Sequence, residues 1–110
     1  MTTPTDRDPV APGPAPRPDT ITVVVEADLD HETCDALLSA VTTELSARPG
    51  ASTLQLDCTA MTMCDSMGLS TLIQIRRHTD AAGLRLRIDP RPALLDRLLH
   101  LTGTFDYLLR

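Results

Sequence analysis

The sequence predicts an α/β domain with a mainly parallel or mixed sheet of about four strands, covered by three to four helices. Short apolar stretches rich in β-branched residues alternate along the chain with longer segments of helical periodicity. Capping residues or Pro and Gly bound most of these segments. The resulting order, β-α-β-α-β-α and then a short strand or a packed tail, places a helix between consecutive strands, which lets those strands run parallel.

Proline content divides the chain into two parts. Residues 1–19 hold six of the nine prolines and few side chains that could be buried. Proline removes backbone donors, and without burial nothing offsets the entropy of ordering, so we expect residues 1–19 to be a disordered Pro-rich tail. The folded domain is expected over residues 20–110.

The first strand and helix follow that tail. The run "ITVVVEA" is β-branched with little alternation, which predicts a strand covered on both faces. Asp30 is the expected N-cap of the next helix, and Pro49-Gly50 ends it. The apolar stripe of this helix has the spacing of a surface packed on a sheet; it consists of Cys34, Leu37, Leu38, Val41 and Leu45.

The second strand and helix are marked by alternation and by glycine. "TLQLDC" turns Leu54, Leu56 and Cys58 to one side, as a strand does. A helix is predicted from about Ser66 to Ala82, and Gly83 is placed to terminate it.

The last third of the chain predicts a strand and a short helix. "LRLRI" alternates strictly and turns Arg85 and Arg87 outward, which suits a strand near an edge of the sheet. Pro92 can occupy the first turn of a helix that runs through Leu101, and Gly103 stops it. "TFDYLLR" then forms a last short strand or a packed tail.

Composition excludes several classes of function. The formal charge is −5 and all ten basic residues are arginine, so direct nucleic-acid binding is disfavoured. No stretch reaches the ~20 apolar residues of a membrane span, and the N-terminus lacks an apolar leader. Cys34, Cys58 and Cys64 lack metal-binding spacing, which favours reduced, buried thiols over a disulfide or metal ligands. We therefore expect a soluble, cytoplasmic protein.

A serine or cysteine nucleophile is one alternative for the stretch "MTMCDSMGL". A hydrolase elbow needs G-x-S-x-G, but Cys64 stands where the first glycine belongs. No motif links Ser66 to His31, His78 or His100 as a triad would require. Modification of Ser66 or Cys64 by broad serine or thiol reagents is the outcome that would revive this alternative.

No other catalytic, cofactor or metal motif is present. "DLDHET" has the aspartate pair of a phosphotransferase loop, but Glu32 stands where that pattern needs Thr or Val. An N-cap plus an extra first-turn charge is the simpler interpretation of Asp28 and Asp30. Nucleotide-binding glycine loops and clustered zinc ligands are lacking. We predict no enzyme activity, no cofactor and no metal.

Ser66 is left with two interpretations. It lies in the first turn of a predicted helix, where a serine often caps the helix. The same position suits a reversible phosphate, because free N–H groups and the positive helix end stabilise added negative charge.

The chain resembles the STAS domain of bacterial anti-sigma factor antagonists over about residues 20–109. Residues 27–30, "ADLD", are similar to the family's G-E-L-D turn. Residues 57–69 resemble D-L-[ST]-x-[LV]-x-F-x-D-S-x-G-L position by position. Residues 81–108 match the family's G-x-x-L-x-[LIV]-x-x-P-x-P pattern, helix and L-T-G-L ending.

The resemblance implies a phosphorylation switch at Ser66. In the family, an anti-sigma factor that is also a serine kinase of the GHKL ATPase type phosphorylates this serine. The unphosphorylated form binds that kinase and frees a sigma factor, and a PP2C-like serine phosphatase acts on the phosphorylated form. A non-switching STAS subunit of a transporter or signalling scaffold, in which Ser66 is only a cap, is the alternative function.

The resemblance also implies a set of partner contacts around Ser66. Asp28 and Asp30 lie on the neighbouring loop, with capping as the competing role for Asp30; the other expected contacts are Asp65, Met67 and Gly68. Met61 and Met63 are expected to fill the core, whereas Met67 is expected to project toward a partner.

Two departures bear on partner choice. Ala27 and Asp28 replace the family's Gly and Glu in the first loop. The Pro-rich tail replaces an additional N-terminal strand, which predicts an exposed sheet edge or an altered docking surface.

Overall fold

The computed structural model describes residues 19–109. Its elements, in chain order, are β1 (Thr20–Val24), α1 (Cys34–Ala47), β2 (Thr53–Asp57), α2 (Ser66–Ala82), β3 (Arg85–Ile88), α3 (Ala93–Thr102) and α4 (Phe105–Leu109). The predicted α/β class and the helix count are confirmed. The predicted tail, residues 1–19, lies outside the described part of the chain except for Asp19.

The described strands form one parallel sheet in the order β1-β2-β3. This is one strand fewer than the four expected. The segment after Gly103, expected as a short strand or a packed tail, is packed and forms the short helix α4, in which the Leu108 N–H donates to the Thr104 carbonyl at 3.0 Å. Leu108 is 0% exposed, so this segment packs on the core as a short helix, which it closes with its own local hydrogen bonds.

In the described part of the chain, one face of the sheet is buried and the other is largely open. The aligned rows Ile21–Leu54–Leu86 and Val23–Leu56–Ile88 face the helices and build the core. The prediction that β1 is covered on both faces is wrong, since Thr22 is exposed and Val24 is 53% exposed. The helices α1 and α2 pack together on the buried face, so the β-branched run marks a strand without marking two-sided burial.

Helix α2 has the predicted bounds and the predicted C-terminal signal. Gly83 adopts φ 79°, a left-handed conformation that glycine reaches at little cost, and its N–H donates to the Thr79 and Asp80 carbonyls. The buried side of α2 includes Gly68, Leu72, Ile75 and Thr79. A single loop joins the end of β2 to the start of α2. The N-terminus of α2 therefore lies at the carboxyl edge of the sheet.

Candidate functional site

The loops that follow β1 and β2 form one unit at the carboxyl edge of the sheet. The Leu29 N–H donates to the Met63 carbonyl at 3.1 Å, and the Asp65 N–H donates to the Leu29 carbonyl at 3.2 Å. These bonds make a short parallel bridge between Leu29 and Cys64. The two loops singled out from the sequence therefore support one another, with the buried Leu29 between them.

The Asp28 carboxylate fastens the second loop to the first. Its Oδ1 accepts hydrogen bonds from the Thr62 N–H at 2.6 Å, the Met63 N–H at 2.8 Å and the Thr62 hydroxyl at 2.8 Å. The Thr62 N–H, followed by the Thr62 hydroxyl, lowers the pKa of the Asp28 carboxyl. Asp28, predicted as a partner contact, therefore has an internal structural role as well.

Asp30 organises the turn that leads into α1. Its Oδ1 accepts from the Glu32 N–H at 2.8 Å and the Thr33 N–H at 3.1 Å. The Thr33 hydroxyl donates to the Asp28 carbonyl at 2.6 Å, which closes the loop on itself. Thr33, not Asp30, occupies the formal N-cap position of α1, and its side chain caps nothing there. Asp30 instead caps the turn that leads directly into α1, since the Cys34 N–H donates to the Asp30 carbonyl at 3.0 Å.

Asp65, rather than Ser66, caps α2. The Asp65 backbone is extended, and its Oδ1 accepts a hydrogen bond from the Gly68 N–H at 2.9 Å. Ser66 is the first residue of the helix and its side chain is exposed. No hydrogen bond among residues 19–109 engages the Ser66 hydroxyl. The sequence left two interpretations of Ser66, a helix cap and an available hydroxyl. In the structure Asp65 is the cap, and Ser66 carries the available hydroxyl.

Gly68 permits the close approach of the two loops. A Cβ added at Gly68 would lie 2.7 Å from Leu29 Cβ, 2.8 Å from the Leu29 carbonyl oxygen and 2.8 Å from Cys64 Sγ. Gly68 itself is buried. Gly68, which was predicted as a partner contact, therefore lies beneath the surface. Its lack of a side chain lets Leu29 pass directly over the first turn of α2.

The three methionines of this stretch separate into one core residue and two surface residues. Met61 is 1% exposed and packs in the core, as predicted. Met67 is 52% exposed and follows Ser66 directly, again as predicted. Met63 was expected in the core but is 41% exposed. The segment between Met61 and Met63 is not a regular strand, so residues two apart do not share a face.

Cys64 lies two residues before Ser66 but is not activated. Burial, together with the nearby Asp65 charge, raises the pKa of the Cys64 thiol to about 11. Its Sγ donates a weak hydrogen bond to the Asp65 carbonyl at 3.7 Å. A protonated thiol is a poor nucleophile. The described hydrogen bonds also connect none of the three histidines to Ser66.

Residues 19–109 contain neither a metal-binding cluster nor a membrane-spanning helix. No group of three or more His, Cys, Asp or Glu side chains in this range could hold a metal ion. In the same range, none of the helices has the length and apolar character needed to cross a bilayer.

Sequence reasoning missed Thr33, Thr62 and Leu29 as parts of this site. The roles of Thr62 and Leu29 depend on contacts between loops about 34 residues apart in the chain, such as Asp28 with Thr62, whereas Thr33 bonds to the Asp28 carbonyl only five residues away. A usable signal was the parallel topology itself, which brings the carboxyl ends of neighbouring strands to one edge. A threonine hydroxyl and a carboxylate on two such loops are natural hydrogen-bond partners.

The family described as "Mlab, STAS domain" matches residues 14–110. The chain belongs to the STAS domain family. This confirms the resemblance found in the motifs, and the matched region begins six residues before the predicted domain start at Thr20. No curated protein matched the sequence.

Three solved structures place this STAS domain among known folds. The "Anti-Sigma Factor Antagonist SpoIIAA in its Unphosphorylated Form" is similar at 16% identity and a TM-score of 0.57, over 84% of this chain and 79% of that one. Two structures of Mglu are similar at 20% and 18% identity, with TM-scores of 0.58 and 0.55 over 69% and 67% of this chain. The STAS domain covers only 18% and 21% of those two Mglu chains. The chain thus has the fold of an anti-sigma factor antagonist.

Proposed function

We propose that this STAS domain is an anti-sigma factor antagonist controlled by phosphorylation of Ser66. In the unphosphorylated state it binds an anti-sigma factor that is also a serine kinase of the GHKL ATPase type, and the bound kinase releases its sigma factor. Phosphate on Ser66 ends the binding, and a PP2C-like serine phosphatase removes it. Binding and phosphorylation would both take place in the cytoplasm, where transcription is regulated.

The observation that carries this proposal is the state of the Ser66 hydroxyl. It is exposed at the first residue of α2 and makes no hydrogen bond among residues 19–109, while Asp65 supplies the cap. A hydroxyl that is not needed for the fold can be modified without unfolding the domain. Its D-S-x-G setting, residues 65–68, is the motif that carries the family resemblance.

The charge around Ser66 explains how a phosphate could switch binding. A phosphate adds ~1.5 to 2 negative charges at neutral pH. The Gly68 and Leu69 N–H groups both donate to Asp65, whereas the Ser66 and Met67 N–H groups have no acceptor among residues 19–109 and can donate to phosphate oxygens. The modified site would therefore stay folded yet present new charge beside the exposed Met67, where a partner surface would otherwise pack.

The proposal assigns no catalytic group to this chain. The kinase supplies ATP, Mg²⁺ and the general base, and the STAS domain supplies the acceptor hydroxyl and a complementary surface. The raised pKa of the Cys64 thiol, about 11, and the lack of a histidine bonded to Ser66 among residues 19–109 support this division of roles.

Phosphotransfer gives the first test. The domain is used to capture its kinase from the source cytoplasm, and the complex is incubated with labelled ATP. We expect label on the native chain, none on Ser66→Ala, and full labelling of Ser70→Ala, since Ser70 is exposed one turn further along α2. Label that persists in Ser66→Ala, or a native chain that takes none, would contradict the proposal.

Affinity gives the second test. Ser66→Ala should bind the captured kinase more tightly than Ser66→Asp, whereas Ser70→Ala and Ser70→Asp should bind alike. Adding Ser66→Ala to a kinase–sigma factor complex should free the sigma factor, which fluorescence anisotropy of labelled sigma factor would follow. A partner that binds both Ser66 variants equally and never labels the chain would instead assign a non-switching STAS subunit of a transporter or signalling scaffold.

A further inference from the structure

A second surface with binding features lies on the β3 side of the sheet, away from Ser66. Here the outer edge of β3 borders a groove of about 640 Å³ whose other side is formed by α2 and α4. Ser66 and Asp80 are separated by fourteen residues of α2, which corresponds to about 21 Å along the helix. The groove and the Ser66 site are therefore separate features of one domain.

The groove concentrates positive charge in an acidic protein. Four arginines line it against two aspartates, Asp80 and Asp89, although the whole chain carries a formal charge of −5. The four are Arg76, Arg85, Arg87 and Arg91. Three of them have carboxylate partners within the chain, and among the described residues Arg85 has none. This local charge favours a negatively charged occupant.

The backbone of β3 adds directional hydrogen-bonding groups. The Arg85 N–H donates to the Ser52 carbonyl and the Asp89 N–H donates to the Leu56 carbonyl, so these peptide groups face β2. The alternation of a parallel ladder then turns the peptide groups of Leu86 and Ile88 to the outer edge. The Ile88 carbonyl accepts from Arg91 Nη1 at 2.9 Å. Among residues 19–109 the Leu86 peptide group and the Ile88 N–H have no such partner, so they can bond to another strand.

The two faces of β3 specify what such a strand would carry. Arg85 and Arg87 project to the open face of the sheet, whereas Leu86 and Ile88 face the core side, where Phe105 and Leu109 of α4 border the groove. Side chains of an added strand alternate between the same two faces. Acidic residues on one face and apolar residues on the other would complement this surface.

We infer that the β3 groove docks an extended segment of a partner protein, with alternating acidic and apolar residues, that adds to the sheet as a further strand. Main-chain bonds to Leu86 and Ile88 would supply affinity, and Arg85 and Arg87 would select for acidic side chains. The proposal does not depend on phosphorylation of Ser66.

Fluorescence anisotropy with an eight-residue labelled peptide of alternating Glu and Val tests the charge requirement. Two comparison peptides replace Glu by Lys or Val by Pro, the latter keeping the charge but removing alternate N–H donors. We expect the Glu-Val peptide to bind and the two comparison peptides not to bind. The double variant Arg85→Glu/Arg87→Glu should weaken it by about tenfold or more, because two charge pairs become repulsive. Arg77→Glu/Arg97→Glu, which makes the same charge change at exposed residues outside the groove, should retain affinity within about twofold.

Amide hydrogen exchange tests the backbone requirement on the same complex. The Leu86 and Ile88 amides should become slower to exchange when the peptide binds, with Arg85 and Asp89, already bonded to β2, as internal references. Binding without this protection, protection at β1 instead, or equal binding of the Glu-Pro peptide would overturn the inference. Failure of the Glu-Val peptide to bind would also overturn the inference. Self-association of the native chain that the Arg85→Glu/Arg87→Glu variant abolishes would do the same, since the groove would then bind a second copy of this chain.

Discussion

The Asp28 carboxylate holds the loop that precedes Ser66, because its Oδ1 accepts from the Thr62 N–H at 2.6 Å. The contact joins the loop after β1 to the loop after β2. A residue on one loop thus fixes the backbone only a few positions before the exposed serine on the other, so stability and the geometry of the candidate site are coupled at this point.

Asp28→Asn should lower stability at neutral pH, and the deficit should shrink in acid. The folded-state pKa of Asp28 is depressed, so its ionised form stabilises the fold above the unfolded pKa near 3.8, and this contribution is lost as pH falls through the lower folded pKa. Urea unfolding of the native chain and the variant at pH 7 and at pH 3 measures the difference. A deficit that is constant over this range would contradict the assignment.

Asp57→Asn is the matched control for Asp28→Asn. Hydrogen bonds from the Thr59 side chain and N–H also lower the pKa of Asp57, so its stability difference should fade in acid in the same way. Only Asp28→Asn should shift the backbone amide signals of Thr62 through Ser66 in a heteronuclear NMR spectrum. Equal shifts in both variants would mean that Asp28 does not hold this loop.

Gly68→Ala should destabilise the domain by about 1 to 3 kcal/mol, the usual cost of forcing extra volume into a packed site. Its Cβ would lie 2.8 Å from the Leu29 carbonyl oxygen, and backbone atoms cannot move aside as a flexible side chain can. Gly50→Ala is the control, because nothing lies within 4 Å of its added Cβ. Thermal unfolding should separate the two variants clearly, and similar melting temperatures would refute the close approach.

Features set by neighbouring residues could be predicted from the sequence, and features set by distant contacts could not. The bounds of α2 follow from Gly83 and from the cap at Asp65, which act within one turn. The bridge between Leu29 and Cys64 joins loops 35 residues apart, so the sequence indicated both loops but not their register. The open outer face of β1 was missed for the same reason, since burial of Val24 depends on which elements cover the sheet.

Asp65→Ala should cost about 1 kcal/mol, the typical effect of removing an N-cap, while Ser66→Ala should be nearly neutral. The reason is that Gly68 N–H donates to Asp65 Oδ1 at 2.9 Å, whereas the Ser66 hydroxyl has no partner among the described residues. Chemical denaturation of both variants checks this. A larger loss for Ser66→Ala would make Ser66 the cap and remove the main support for a freely modifiable hydroxyl.

We expect substitution of the buried Met61 to affect stability and substitution of the exposed Met67 to affect binding. Met61→Ala should lose about 2 to 5 kcal/mol, since a fully buried side chain leaves a cavity. Met67→Ser should change stability by less than about 0.5 kcal/mol, because Met67 is 52% exposed, yet it should alter affinity for the captured kinase. Leu101→Ser is the control for lost apolar surface, as Leu101 is 79% exposed on α3, and it should leave affinity unchanged. A large drop in melting temperature for Met67→Ser with unchanged binding would place Met67 in the core and move the docking surface elsewhere.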